Sequence, residues 1–198
     1  KPAERKGYSG TGLYCKQKPD RVIFSPWEDF DFEGRFIQAD FGNLSVISIY
    51  IPSGSAKQER QDYKMEFMVK RFMPYLEALQ KDGREYIICG DINIVHKKID
   101  IKNFNGNKNR SGCLPEERAW LDQLFGEAGF IDAFREINQE TDQYTWWSNR
   151  GQAWANNTGW RIDYHILSAN LKGTPQRAEV YKEERFSDHS PLIIDYDF

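Results

Sequence analysis

Between positions 56 and 80 the apolar residues Met65, Phe67, Met68, Phe72, Leu76 and Leu79 recur at three- and four-residue intervals, the period of a helix with one buried face. The spacing predicts a helix over 56–80, kinked at Pro74 because its ring removes an intrahelical hydrogen bond, and stopped by Gly83. Elsewhere the period shortens. Positions 12–16, 35–41 and 44–52 carry β-type runs, and Gly42-Asn43 between the last two has the chemistry of a hairpin turn. Residues 86–89 are continuously apolar, as in a strand covered on both faces. Leu114-Pro115-Glu116-Glu117-Arg118 opens a second helix that runs to about Gly126, with proline early and acids in the first turn. β-type runs at 144–148, 161–167 and 191–196 close the chain. Strands alternating with helices predict an α/β layered domain.

No internal repeat, low-complexity stretch or linker divides the 198 residues, so one domain over 1–198 is expected. Hydrophobic residues at 39% and charged residues at 29% describe a folded chain, and aromatics at 15% are numerous enough for stacking surfaces as well as core. No apolar run approaches the roughly 20 residues of a membrane span, so no membrane partner is expected. The three cysteines, Cys15, Cys89 and Cys113, include no Cys-x-x-Cys pair, which fits a reducing, cytoplasmic compartment. A net charge of -3 argues against bulk electrostatic capture of nucleic acid. It is compatible with a carboxylate-rich centre inside a basic rim.

Three short motifs carry chemistry. Gly90-Asp91-Ile92-Asn93 ends a buried strand with an acid and, two residues on, an amide; alternate residues of an extended segment share a face. Such a carboxylate can take a proton from water while the amide holds that water or a phosphate oxygen, although an Asx turn would use the same residues. Trp160-Arg161-Ile162-Asp163-Tyr164 buries an acid that needs a cation or an imidazole. Ser187-Asp188-His189-Ser190-Pro191 supplies that imidazole, with Asp188 free for another partner.

Taken together with Tyr50 in Ile-Tyr-Ile-Pro, Gly-Tyr-Ser-Gly-Thr-Gly at 7–12, Glu-Gly-Arg-Phe at 33–36 and Leu-Pro-Glu-Glu-Arg at 114–118, these motifs resemble the exonuclease III type of apurinic/apyrimidinic (AP) endonuclease, a branch of the endonuclease/exonuclease/phosphatase superfamily. The resemblance implies a four-layered α/β sandwich of the DNase I-like kind, two mixed sheets face to face with helices outside. It implies that Asp91 activates water with Asn93 positioning it, that His189, held by Asp163, and Tyr50 contact the scissile phosphate, and that Asp188, with Asp91 and Asn93, binds metal. Mg²⁺ is the implied cofactor, Mn²⁺ substituting. The implied partner is double-stranded DNA carrying abasic sites or 3′ ends, cut by a monomer 5′ to the abasic site, with 3′-to-5′ exonuclease and 3′-repair activity.

Members of that branch begin with one strand bearing an active-site Asn and a second bearing a Glu metal ligand, and the expectation is that this N-terminal portion is missing here. In the loop 106–110, Asn107, Lys108 and Arg110 match DNA-contacting positions, with Arg110 where Asn is common; Cys113 stands where Phe is common. Trp146, Trp160 and Ile162 match a pocket for an extrahelical base-free sugar, which rejects a normal nucleotide by size. Arg150 would enter a groove, and Lys97, Lys98 and Lys102 would follow the phosphates. Two alternatives stay open: a catalytically impaired DNA-binding fragment, and a phosphatase or phosphodiesterase of the same superfamily acting on lipid or inositol phosphates.

Overall fold

Every second side chain of β3 (Leu44–Tyr50) is buried, as a strand with one face on a core requires. A computed structural model describes residues 1–27 and 31–198, and β3 lies inside its main sheet. β2 (Phe36–Phe41) pairs with it antiparallel through the Gly42-Asn43 turn. β4 (Glu85–Asp91) pairs with it in parallel. β1 (Arg21–Ile23), β5 (Ile131–Asp132) and β8 (Asp163–Leu167) complete a six-stranded mixed sheet in the order β1-β2-β3-β4-β8-β5.

The parallel pair requires a crossover, and the predicted helix provides it. α1 (Gln58–Phe67) and α2 (Met73–Leu79) are separated by five residues, Met68–Phe72, wound as a wider π-helical turn. The irregularity therefore precedes Pro74 rather than forming a kink at it. Lys70, four residues before the proline, lies within the widened turn, which relieves the clash between the ring and that carbonyl. Phe67, Met68, Phe72, Leu76 and Leu79 pack with Trp120, Leu121 and Leu124 of α4 (Pro115–Phe125) against Ile47, Ile49 and Ile88 of the sheet.

The opposite face is covered by an antiparallel pair, β9 (Pro175–Val180) and β10 (Leu192–Tyr196). Ile194 and Tyr196 pack there on Ile87 and Leu167. A further pair, β6 (Trp146–Trp147) and β7 (Gly159–Trp160), forms one end of the molecule. This is the expected α/β sandwich, although among the described residues the second sheet, β9–β10, is an antiparallel pair rather than a mixed sheet. Several boundaries differ from the sequence reading. Residues 12–16 form no strand, and β1 was not anticipated. β9 was missed because its sequence, PQRAEV, is half polar. The short helices α3 (Phe104–Asn107) and α5 (Ala133–Ile137) were also unforeseen.

Candidate active site

At one end of the main sheet, strand register brings three candidate side chains into a row. Tyr50 at the end of β3 is the partner of Asp91 at the end of β4, and Asp91 is the partner of Asp163 at the start of β8. Gly90 makes the row possible: its φ is +151°, and an added Cβ would stand 1.8 Å from the Ile49 carbonyl oxygen. Only glycine lets the two strands approach so closely.

Asp91 and Asn93 form one unit. The Asn93 backbone N–H donates to Asp91 Oδ1 at 2.8 Å, and its side-chain Nδ2 donates to Asp91 Oδ2 at 2.8 Å and to the Ile51 carbonyl at 3.0 Å. The Asx-type turn therefore holds the same two side chains that the functional reading needs. Both amide hydrogens are used within the protein, which leaves Asn93 Oδ1 as the atom able to accept a hydrogen bond from water or to meet a cation. Burial pushes the Asp91 pKa up to about 8; the charge of Asp163 adds to the rise, while His189 and the Asn93 hydrogen bond oppose it.

His189 Nδ1 stands 2.9 Å from Asp163 Oδ2, and since a carboxylate only accepts, the proton lies on Nδ1. Burial alone would lower the His189 pKa, but the hydrogen bond and charge of Asp163, with Asp91 and Asp188 nearby, lift it to about 9. The imidazole is therefore an imidazolium at neutral pH. Residues 187–190 precede β10 rather than belonging to it, and are fixed by bridging to β6: His189 pairs with Trp146, and the Trp147 N–H donates to the Asp188 carbonyl at 2.9 Å. Asp188 Oδ2 accepts from Trp146 Nε1 at 3.0 Å. Tyr50 is supported from below by Arg35, whose guanidinium lies 4.5 Å from the ring centroid and donates to the Tyr50 carbonyl at 3.0 Å. Burial, then the charge of Asp91, raises the Tyr50 pKa, so its hydroxyl remains a donor.

A cleft of about 1020 Å³ contains Tyr50, Asp91, Asn93, Asp188 and His189, and its walls include Arg110, Trp146, Arg150, Trp160 and Ile162. Asp163 stands behind His189 rather than on the wall. Trp146 and Trp160 meet edge to face at 6.0 Å and rest on a small apolar cluster of Val95, Ile101, Cys113 and Ile162. Cys113, where a larger side chain was expected, is fully buried beneath that wall.

Two of the residues expected to contact DNA stand outside the cleft itself. Asn107 and Lys108 are not on the cleft wall; the Asn107 amide donates to the Asn103 carbonyl at 2.9 Å within α3. Asn109 and Ser111 take their place on the wall, because the chain tightens after α3 with the Arg110 N–H bonded to the Asn107 carbonyl at 2.8 Å. Lys97 pairs with Asp122, Lys102 pairs with Asp142 at 2.9 Å, and Lys98 lies over the Phe104 ring at 5.6 Å, none of them on the wall. The wall also includes Ser53, Lys57 and Gln61, which the sequence reading missed; no local pattern distinguishes them from an ordinary helix approach.

Residues 2–189 match the endonuclease/exonuclease/phosphatase family. The chain is 40% identical to the exodeoxyribonuclease of Bacillus subtilis (strain 168) over 194 residues, which are 97% of this chain and 76% of that protein. It is 37% identical to the DNA repair nuclease APEX1 of Danio rerio, covering 96% of this chain and 61% of that one. Among solved structures, an AP endonuclease from Archaeoglobus fulgidus superposes with a TM-score of 0.81 at 26% identity, over 91% of this chain and 72% of the other.

Proposed function

Because the chain belongs to the endonuclease/exonuclease/phosphatase family, we propose that it is a DNA repair nuclease which hydrolyses the phosphodiester backbone 5′ to abasic sites, leaving a 3′ hydroxyl, with 3′-to-5′ exonuclease and 3′-repair activity as companions. The carrying observation is the row Tyr50, Asp91, Asp163 with His189 docked on Asp163 at 2.9 Å, opening into the same cleft as Trp146 and Trp160. The names of the relatives support DNA as the substrate. The apolar wall of Trp146, Trp160 and Ile162 supports a sugar without its base, since a flipped base would need more room.

In this reading Asp91 takes the proton from the attacking water, a role suited to a carboxyl whose proton affinity burial and the neighbouring Asp163 raise. Asn93 holds Asp91 by both oxygens and offers Oδ1 to the water. The His189 imidazolium and the Tyr50 hydroxyl face the phosphate oxygens and stabilise the charge that grows on them. Asp163 fixes the tautomer and angle of His189. Arg110 and Arg150, both exposed on the cleft rim, meet the DNA backbone on either side.

Asp91, Asp188 and the Asn93 amide oxygen are the groups that would hold Mg²⁺, or Mn²⁺ in its place; an all-oxygen set suits a hard cation. Among the described residues no three His, Cys, Asp or Glu side chains gather closely enough to hold an ion by themselves. The ion would therefore keep waters and take phosphate oxygens, as Mg²⁺ commonly does. When bound it supplies Lewis-acid stabilisation of the phosphate. We take the 198 residues as one catalytic domain acting as a monomer in a reducing cytoplasm, to which its free cysteines are suited. No described helix is long and apolar enough to cross a membrane.

The test uses a labelled duplex containing one stable abasic-site analogue, incubated with the chain or its Asp91→Ala variant, with Mg²⁺ or with EDTA. Incision on the 5′ side that needs Mg²⁺ and disappears in the variant is expected. Binding of the duplex without any incision would leave a DNA-binding module in place of a nuclease. Competition by a phosphoinositide but not by abasic DNA would move the substrate to lipid phosphates.

A further inference from the structure

Lys64 on α1 and Glu117 in the first turn of α4 both have 0% side-chain exposure, and Lys64 Nζ donates to Glu117 Oε1 at 2.7 Å. The same ammonium donates to the carbonyl oxygen of Asn93 at 2.9 Å. Glu117 Oε2 accepts the backbone N–H of Gly112 at 2.6 Å and of Leu114 at 3.0 Å. Gln61 Nε2 donates to Glu117 Oε1 at 3.0 Å, and Gln61 Oε1 accepts from Ser111 Oγ at 2.7 Å. One buried ion pair thus touches both walls of the cleft, the turn that carries Asp91 and Asn93 and the loop that carries Arg110.

A buried ion pair is a poor way to gain stability, since well-packed apolar residues of similar volume often do as well or better. Asn93 has a different need. Its φ is +56°, in the left-handed region, which asparagine visits more readily than other residues with a Cβ but in which it still depends on local hydrogen bonds. The Val95 N–H also reaches across to the Gly112 carbonyl at 2.8 Å, so the two walls stay joined without Lys64. What Lys64 alone provides is the grip on the Asn93 carbonyl.

We propose that Lys64 is a positioning residue: its ammonium, held by Glu117, fixes the left-handed turn at Asn93 and so sets the angle of the Asp91 carboxylate that Asn93 clasps. The catalytic consequence rests on the nuclease reading above, whereas the geometric one does not. Three variants of the full chain test it. Lys64→Met strands a buried carboxylate and can fail to fold for that reason alone. Lys64→Met/Glu117→Gln removes both charges, while the Gln oxygen can still accept from Gly112 and Leu114. Lys64→Arg keeps a cation and its donors.

Amide hydrogen exchange at Asn93, compared with Ile87 and Ile88 in β4, is measured beside kcat and KM on the abasic duplex. In the double variant Asn93 should exchange about tenfold faster, the equivalent of losing one charge-assisted hydrogen bond, with Ile87 and Ile88 unchanged. Its kcat should fall about ten- to a hundredfold with KM within about twofold, because misorientation of a reacting group acts on the chemical step. Lys64→Arg should retain the wild-type pattern. Unchanged exchange at Asn93 in the folded double variant overturns the proposal. So does a rise common to all amides, or failure of the double variant to fold, since either makes the pair a plain structural element. If the wild-type chain leaves the duplex uncut, the nuclease reading fails while the exchange comparison still decides this one.

Discussion

Arg161 and Asp163 are two residues apart in the chain, yet they serve opposite kinds of charge cluster. Arg161 is fully buried, with Nε 2.7 Å from Asp100 Oδ1 and Nη2 2.6 Å from Asp132 Oδ2, and Arg135 Nη2 reaches Asp100 at 2.6 Å. Each anion there meets a cation. Burial works against ionisation of Asp100, yet Arg161 and Arg135 hold its pKa down at about 2. Asp163, by contrast, shares a cross-strand register with Asp91, a second carboxylate, and there the balance tips the other way. Three acids, Asp91, Asp163 and Asp188, surround one imidazole, and burial, with the charge of Asp163 added, pushes Asp91 up instead of down. Opposite charges brought together in equal number make a strut. An excess of one sign leaves a group ready to trade a proton or to draw in a cation.

The sharpest test of that contrast is Asp91→Ala, which should cut incision of the abasic duplex by about a thousandfold or more if Asp91 is the base, while leaving the thermal midpoint of the metal-free chain unchanged or higher. A variant that lost activity only in proportion to lost folding would erase the distinction. Arg161→Met should do the reverse, costing about 3 to 5 kcal/mol in a denaturant titration because it leaves Asp132 without its cation and Asp100 with Arg135 alone.

The same contrast separates the two clusters on the pH axis. Asp100 has a folded pKa below its unfolded value, so its stabilising contribution, roughly 2 kcal/mol, is complete above about pH 4 and disappears as pH falls through about 2. Asp91 has a folded pKa above its unfolded value, so in the metal-free chain its contribution declines as pH rises from about 4 towards 8. His189, raised to about 9, stabilises fully below its ordinary value and loses that contribution as pH rises through 9. Thermal midpoints against pH should therefore fall on both flanks. Asp91→Asn should flatten the slope between 4 and 8 and leave the acid flank untouched. The smallest effect belongs to the rim: Arg110→Asn should reduce the salt slope of duplex binding by about one unit, and an unchanged slope would remove Arg110 from the DNA path.

Much of the candidate site was legible in the sequence because its residues sit at strand ends, where a short apolar run stops at an acid. Asp91, Asp163 and His189 stand where their motifs put them. The strut beneath them was not legible. Lys64 interrupts the apolar period of α1 and reads as part of a solvated face, and its partner Glu117 is 53 positions away in the next long helix. Its burial follows from how α1 and α4 pack together, which no local window contains. Asn107 and Lys108 show the converse case, residues matched by motif whose position relative to the cleft only the fold reveals. A motif fixed their order in the chain, but a short helix turned them off the wall that Asn109 and Arg110 occupy. The π-helical turn was missed for a related reason: Pro74 signalled a disturbance, but not that the backbone would absorb it several residues earlier.

The row Tyr50, Asp91, Asp163 also constrains which changes of length the chain can accept. Three adjacent strands present their working side chains at one level, so the site is stored in register as much as in residue identity. Removing a single residue from β4 would draw Ile92 into the row and move Asp91 to the place of Gly90, turning the carboxylate to the opposite face of the sheet, whatever else was kept. Extra residues in the Gly42-Asn43 turn or in the approach to α1 would leave that level undisturbed. Descendants of this sequence are thus free to vary their loops in length, while β3, β4 and β8 can change letters only one for one.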